Sequence, residues 1–196
     1  MTTMFVVIEG PDGAGKSTLV SELAALVSST SGRTVRATRE PSDSPLGAFI
    51  RAEHAAFSPR GRALAVAADR ANHIDGVIRP SLEAGDVVIS DRYVPSSLVL
   101  QRLDGLSLEE IWRYNSFAPP PTLTAILVPD PQTVSKRLDA RALLTHFEER
   151  STPALQTLLY GEAADFLRAL GWNVVAIDVA ASSPKEVAQR ILAHFA

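Results

Sequence analysis

The chain has 196 residues, 19 Lys plus Arg against 22 Asp plus Glu, a formal net charge of −3 and 46% hydrophobic residues. That suffices for one globular domain, residues 1–196, with its own core and excludes a disordered or fibrous chain. The acidic excess excludes unspecific binding to nucleic acid or acidic membranes, which needs a basic surface. Cysteine is absent, so disulfides, thiolate metal sites and a cysteine nucleophile are excluded and a cytoplasmic location is expected.

The N-terminal apolar run over 4–8 is too short for a signal peptide or a membrane span and reads as a strand. A glycine-rich loop follows, then an amphipathic helix over 17–28, a strand over 34–38 and a helix over 46–55. From 61 to 83, Leu64, Ala67, Ala68, Ala71, Ile74, Val77 and Ile78 stand at helical spacing, and Pro80 ends or bends the helix. A strand over 86–90 precedes helices over 96–102 and 107–117. Pro119, Pro120 and Pro121 stiffen the entry into a strand over 123–128. Helices over 131–140 and 152–170, a strand over 172–177 and a helix over 184–195 complete the chain. Strand alternating with helix means βαβ crossovers, hence an α/β fold with a mainly parallel sheet covered on both faces.

Gly10-Pro11-Asp12-Gly13-Ala14-Gly15-Lys16-Ser17 fits G-x-x-x-x-G-K-[ST] directly after a strand and before a helix. In that context Gly10, Gly13, Ala14, Gly15 and Thr18 frame a loop whose backbone N–H groups and following helix N-terminus meet phosphate oxygens. Lys16 is expected near the β and γ phosphates of ATP, and the Ser17 hydroxyl on Mg2+. The third strand runs into Asp91-Arg92-Tyr93, placing Asp91 at the crevice to hold Mg2+ and Arg92 to hold a second phosphate. No N-K-x-D tetrapeptide is present, which disfavours a GTP switch.

In order and spacing, Phe5 to Thr18, Thr38-Arg39-Glu40-Pro41, Ala68-Asp69-Arg70, Ile78-Arg79-Pro80, Asp91-Arg92-Tyr93-Val94 and Ser96-Ser97 resemble the thymidylate kinases over about 4–150. The resemblance implies a three-layer α/β/α P-loop kinase fold with a five-stranded parallel sheet. It also implies Mg2+-assisted transfer of the γ-phosphoryl of ATP to a small nucleoside 5′-monophosphate, dTMP first, and a possible homodimer. It casts Asp12 as the residue that orients the acceptor phosphate, Arg92 as its ligand, Arg39 and Glu40 as the border of the acceptor pocket, and Arg70 as reaching the base carbonyl. Val66, Ser97 and Gln101 join that pocket. A lid-like segment around 137–150 would carry Arg137 and Arg141. Because the loop offers Asp12 and no basic residue at that point, Arg141 is the expected source of extra charge on the transferred group.

The chain departs from the family pattern where the base binds. Four positions before Arg70 the family has an aromatic residue, and here it is Val66; before Gln101, where a tyrosine is usual, stands Leu100. Base stacking is worth about 1 to 3 kcal/mol in nucleic-acid sites, so another acceptor base stays open. A deoxynucleoside kinase would favour a carboxylate ahead of Asp91-Arg92, where Ile89 and Ser90 stand. An ATP-dependent partition or regulatory protein would turn over ATP with no small acceptor.

Overall fold

The computed structural model describes residues 3–53, 56–130, 132–135, 147 and 151–195. Strands β1 (Met4–Glu9), β2 (Val35–Arg39), β3 (Val87–Asp91), β4 (Leu123–Val128) and β5 (Val174–Asp178) form one five-stranded sheet ordered β2-β3-β1-β4-β5, parallel throughout. Around it lie helices α1 (Lys16–Ser31), α2 (Pro45–Ala52), α3 (Pro59–His73), α4 (Arg79–Glu83), α5 (Val94–Leu103), α6 (Leu108–Asn115), α7 (Pro153–Ala169) and α8 (Pro184–Leu192).

The helix starts are written in short polar residues. Ser44, Ser58, Ser107, Thr152 and Ser183 each accept a hydrogen bond from a backbone N–H of the first turn, which satisfies a donor the helix leaves open. Proline follows the cap in α2, α3, α7 and α8, where its missing N–H costs nothing. The helix expected from 61 therefore begins at Pro59, set by its cap and not by the apolar spacing. It passes through a π turn (Ile74–Ile78) into α4. Pro80 lies just beyond that turn, and its missing donor favours a wider bonding pattern there. The strand expected from 172 begins at Val174, because the Trp172 and Gly171 N–H groups still close the end of α7 on Leu167 and Arg168.

The two-residue period of the strands sorts side chains into two cores. Met4, Val6, Ile8, Val87, Ile89, Leu123, Ala125 and Leu127 pack with Leu19, Leu23 and Val27 of α1 and Val187 and Ile191 of α8. Phe5, Val7, Val88 and Ile126 pack with Leu98 of α5 and Tyr160 and Leu167 of α7 on the other face. The same alternation carries past the apolar stretches. Asp91 falls in step with Val87 and Ile89 on the α1 side, and Glu9 falls in step with Phe5 and Val7 beneath α5. Among the described residues no helix is long and apolar enough to cross a membrane.

Candidate active site

The loop after β1 turns on glycines that no other residue could replace cheaply. Gly10 has φ +139, and a Cβ there would sit 2.9 Å from the Leu127 carbonyl oxygen of β4. Gly15 caps α1 at φ 90 in the left-handed region, where an L side chain is strained. Lys16 folds back into the loop, buried, its Nζ donating to the carbonyls of Gly10 at 2.9 Å and Pro11 at 2.8 Å. Burial and the nearby Arg92 charge lower its ammonium to about 8, against the pull of Asp12, Asp91 and Glu9.

At the end of β3, Ser17 donates its hydroxyl to Asp91 Oδ2 at 2.6 Å, while Asp91 Oδ1 is buried without a hydrogen-bond partner. Next to it Arg92 holds φ 73, an uncommon value for a side-chain-bearing residue. Its guanidinium pairs with Asp12 and donates to Ser96 Oγ at 3.0 Å and the Tyr160 hydroxyl at 3.3 Å. Burial by itself would raise the Asp12 carboxyl, but the charges of Arg92 and Lys16 outweigh it and hold it below the usual range. Asp12 and its neighbours in turn keep Arg92 firmly protonated.

Two partners of this cluster have no role assigned from the sequence. Glu9, fully buried, accepts from the backbone N–H groups of Tyr93 at 2.7 Å and Ser96 at 3.1 Å, and from the hydroxyls of Ser96 at 2.7 Å and Tyr160 at 3.2 Å. It thereby ties the start of α5 to β1 and to α7. Burial pushes its carboxyl up, against Arg92 and these hydrogen bonds. Gln156 of α7 accepts from the Asp12 N–H at 2.9 Å. Their signals were a lone Glu closing an apolar strand and a lone Gln in a helix, too common to single out.

Between α3 and α5 a groove of about 360 Å³ opens onto Asp12 and Arg92, lined among others by Glu40, Val66, Arg70, Ser97, Leu100 and Gln101. Arg70 is fully buried in it. It pairs with Glu40 at 2.7 Å and donates to Asn115, to the Tyr93 carbonyl at 3.0 Å and to Ser97 Oγ at 3.0 Å. Glu40 is held from its other side by His73 Nδ1 at 3.2 Å, and His73 Nε2 meets Thr38 Oγ1 at 2.7 Å. Gln101 Oε1 is buried and without a hydrogen-bond partner. Asp69 receives the Ser42 N–H at 2.6 Å and the hydroxyls of Ser42 and Ser44 at 2.7 and 2.8 Å, fixing the turn that leads into α2. Arg39 borders the groove while bonded to the exposed Asp43. Arg51 and Arg62, unmarked by any motif, line it too, as does Phe147 of the lid-like segment.

A second and larger cleft, about 870 Å³, runs along the phosphate loop. Gly13, Ala14, Gly15, Lys16, Ser17 and Thr18 form one side of it, and Pro129, Asp130, Val179 and Ala180 are on the other. Asp12, Ser17, Arg39, Asp91 and Arg92 line both spaces. Every candidate residue of the loop, of 39–40, of α3 and of 91–101 is thus gathered at one crevice at the carboxyl ends of the strands. Arg137 and Arg141 lie outside the described residues, as does all of the lid-like segment except Phe147.

The family model described as "Thymidylate kinase" matches residues 8–191. A probable thymidylate kinase of Thermococcus kodakarensis is 41% identical over 157 residues, covering 74% of this chain and 76% of the relative. One of Pyrobaculum calidifontis is 40% identical over 149 residues, covering 74% and 75%. The thymidylate kinase of Xanthomonas euvesicatoria is 38% identical over 148 residues, covering 74% and 65%.

Proposed function

The chain belongs to the thymidylate kinase family and is a nucleoside monophosphate kinase, and we infer that it carries out ATP-dependent phosphorylation of dTMP to dTDP. The observation that carries this reading is the meeting of two clefts at Asp12, Ser17, Arg39, Asp91 and Arg92. A donor and an acceptor bound one in each bring their phosphates together there. The reaction needs in-line placement and charge neutralisation more than covalent help. An acceptor phosphate oxygen, already anionic, attacks the γ-phosphorus; the bond to the β–γ bridging oxygen breaks and ADP leaves, so no general base is required.

In this reading Lys16, anchored on two loop carbonyls, supplies a cation to the donor phosphates. Arg92 holds the acceptor phosphate, and Asp12 holds Arg92 in place. The exchange of one anion, Asp12, for shared contact with another, the acceptor phosphate, costs the guanidinium little because it stays charged throughout. The unpartnered Asp91 Oδ1 beside the Ser17 hydroxyl suits a hard divalent cation, which takes oxygen ligands. Ser17 and Asp91 would hold Mg2+, which when bound neutralises charge on the β and γ oxygens. Arg141 remains our choice for a further cation over the transferred group.

The groove supports a thymine-like base. A guanidinium has donors only, and the Gln101 carbonyl oxygen is a buried acceptor in want of a donor. Arg70 for a ring carbonyl and Gln101 for the adjacent ring N–H match the carbonyl and imide of thymine. Ser97 orients Arg70 through its own hydrogen bond, and Val66 and Leu100 supply aliphatic walls. The test is ADP release measured across the common ribo- and deoxyribonucleoside monophosphates: dTMP is expected to give the highest kcat/KM, and ATP turnover indifferent to every monophosphate would refute the reading.

A further inference from the structure

The Arg92 guanidinium is gripped at both of its ends. Nη2 pairs with Asp12, whereas Nη1 donates to Ser96 Oγ at 3.0 Å and to the Tyr160 hydroxyl at 3.3 Å. Both hydroxyls in turn donate to one oxygen of the buried Glu9 carboxylate, Oε2, Ser96 at 2.7 Å and Tyr160 at 3.2 Å. A hydroxyl has a single proton, so once that proton points at Glu9 the lone pairs are left for Nη1. Glu9 is itself pinned, because its other oxygen, Oε1, accepts from the N–H groups of Tyr93 and Ser96 at the start of α5. Burial, then the Glu9 charge, raises the Tyr160 phenol above its ordinary value, so the group acts as a neutral hydroxyl.

Tyr160 differs from the rest of the cluster in where it sits. It is 1% exposed, packs in the core on the α5 side of the sheet, and lines neither cleft, whereas Asp12 and Arg92 line both. A phenylalanine ring fills the same core space, so what the oxygen adds is its contact with Arg92, Ser96 and Glu9. Arg92 lies beyond β3 at φ 73, where the alternation of a strand no longer sets the direction of a side chain. We propose that Tyr160 is a positioning residue for the phosphoryl transfer: its hydroxyl, ordered by Glu9, holds Nη1 of Arg92 so that the guanidinium presents Nη2 beside Asp12, where the two clefts meet. Guanidinium is planar and rigid, so contacts at Nη1 and Nη2 together fix its plane. When an acceptor phosphate shares Nη2 with Asp12, the hold at Nη1 stays as it is. Without the phenol oxygen the plane is less well fixed, and a misplacement of about 1 Å is enough to slow an in-line transfer.

This inference rests on the acceptor-phosphate role of Arg92 in the reading above, and a double-mutant cycle separates the two. The wild type, Tyr160→Phe, Arg92→Ala and the double variant are compared by kcat/KM for dTMP, by calorimetric ATP affinity without acceptor, and by Tm. Tyr160→Phe is expected to lower kcat/KM for dTMP by about tenfold in the wild type and by less than about twofold in the Arg92→Ala background, with ATP affinity within about twofold throughout. Ser96→Ala, which removes the other oxygen on Nη1, should show the same dependence on Arg92 and serves if Tyr160→Phe does not fold. Wild-type kcat/KM in a folded Tyr160→Phe protein overturns the role of Tyr160, and so does an equal loss with and without the Arg92 guanidinium, which a merely structural hydroxyl would give. A wild type that transfers no phosphoryl group to dTMP refutes the proposed function, and with it the role of Arg92 on which this one depends.

Discussion

Asp12 of the phosphate loop and Arg92 beyond β3 are ion-paired although 80 residues separate them, at the point where the groove between α3 and α5 meets the cleft along the phosphate loop. In the proposed reading Arg92 belongs to the acceptor side and the phosphate loop to the donor side, so loss of the Arg92 guanidinium should show on acceptor use and leave donor binding largely intact.

Arg92→Ala is expected to raise the KM for dTMP or lower kcat, or both, by about 10² or more in kcat/KM. ATP affinity measured without acceptor should change little, because the loop contacts survive. Arg92→Gly should match it kinetically yet melt higher, by the equivalent of about 1 kcal/mol, since φ 73 suits glycine. Equal loss of ATP binding, read by calorimetry, would put Arg92 in the donor site.

Lys16 offers a pH test with opposed signs. Its folded-state value of about 8 lies below the ordinary 10.5 because burial, then Arg92, disfavours the charged form. Below about 8 the protonated ammonium is a cost to the fold, and that cost is relieved as pH climbs from there towards the unfolded value. In the proposed reading catalysis uses the ammonium, so kcat/KM for ATP should fall above about pH 8 while this group's contribution to stability rises. Lys16→Met should remove the alkaline gain in Tm relative to wild type and cost several kcal/mol of transition-state stabilisation. Near-normal turnover by a folded Lys16→Met protein would contradict the assignment.

Glu9 is expected to be structural in a specific way. Glu9→Gln keeps one oxygen for the two backbone donors, and the hydroxyls of Ser96 and Tyr160 can rotate to accept from the new amide. It should shift stability by only about 1 kcal/mol. Glu9→Leu strands four donors, two backbone N–H groups and two hydroxyls, and should cost about 3 kcal/mol or more. Denaturant melts of the two variants decide it, and similar losses would mean that the hydrogen bonds are not what matters.

The phosphate loop was legible because its chemistry is local: consecutive glycines, one lysine and one serine between a strand and a helix. The alternation of apolar runs gave the strands for the same reason. The roles of Glu9 and Gln156 were not legible, since their partners Ser96 and Asp12 lie 87 and 144 residues away, and the loop beside Glu9 announces phosphate binding, not a buried acceptor for the start of α5. The buried pair of Arg62 and Asp104 was not legible either, since only the packing of α5 brings the two together. Ends of elements followed caps, as at Ser58 and Trp172, and not the hydrophobic period.

Val66→Phe tests the base pocket from the other direction. A ring at this level of the groove should lower the KM for dTMP, within the roughly 1 to 3 kcal/mol that base stacking supplies. Overpacking costs about the same where space is already filled, so Tm must be followed as well. A stable variant whose KM for dTMP is unchanged or worse would mean that the base does not lie against α3 at this point.

The central claim is that the two clefts are a donor site and an acceptor site for one transfer. The most direct measurement follows ATP consumption with and without dTMP while the nucleotide products are separated and identified. ADP and dTDP are expected in equal amounts, with little ATP consumed when dTMP is omitted. Release of inorganic phosphate at the same rate whether or not dTMP is present would contradict it.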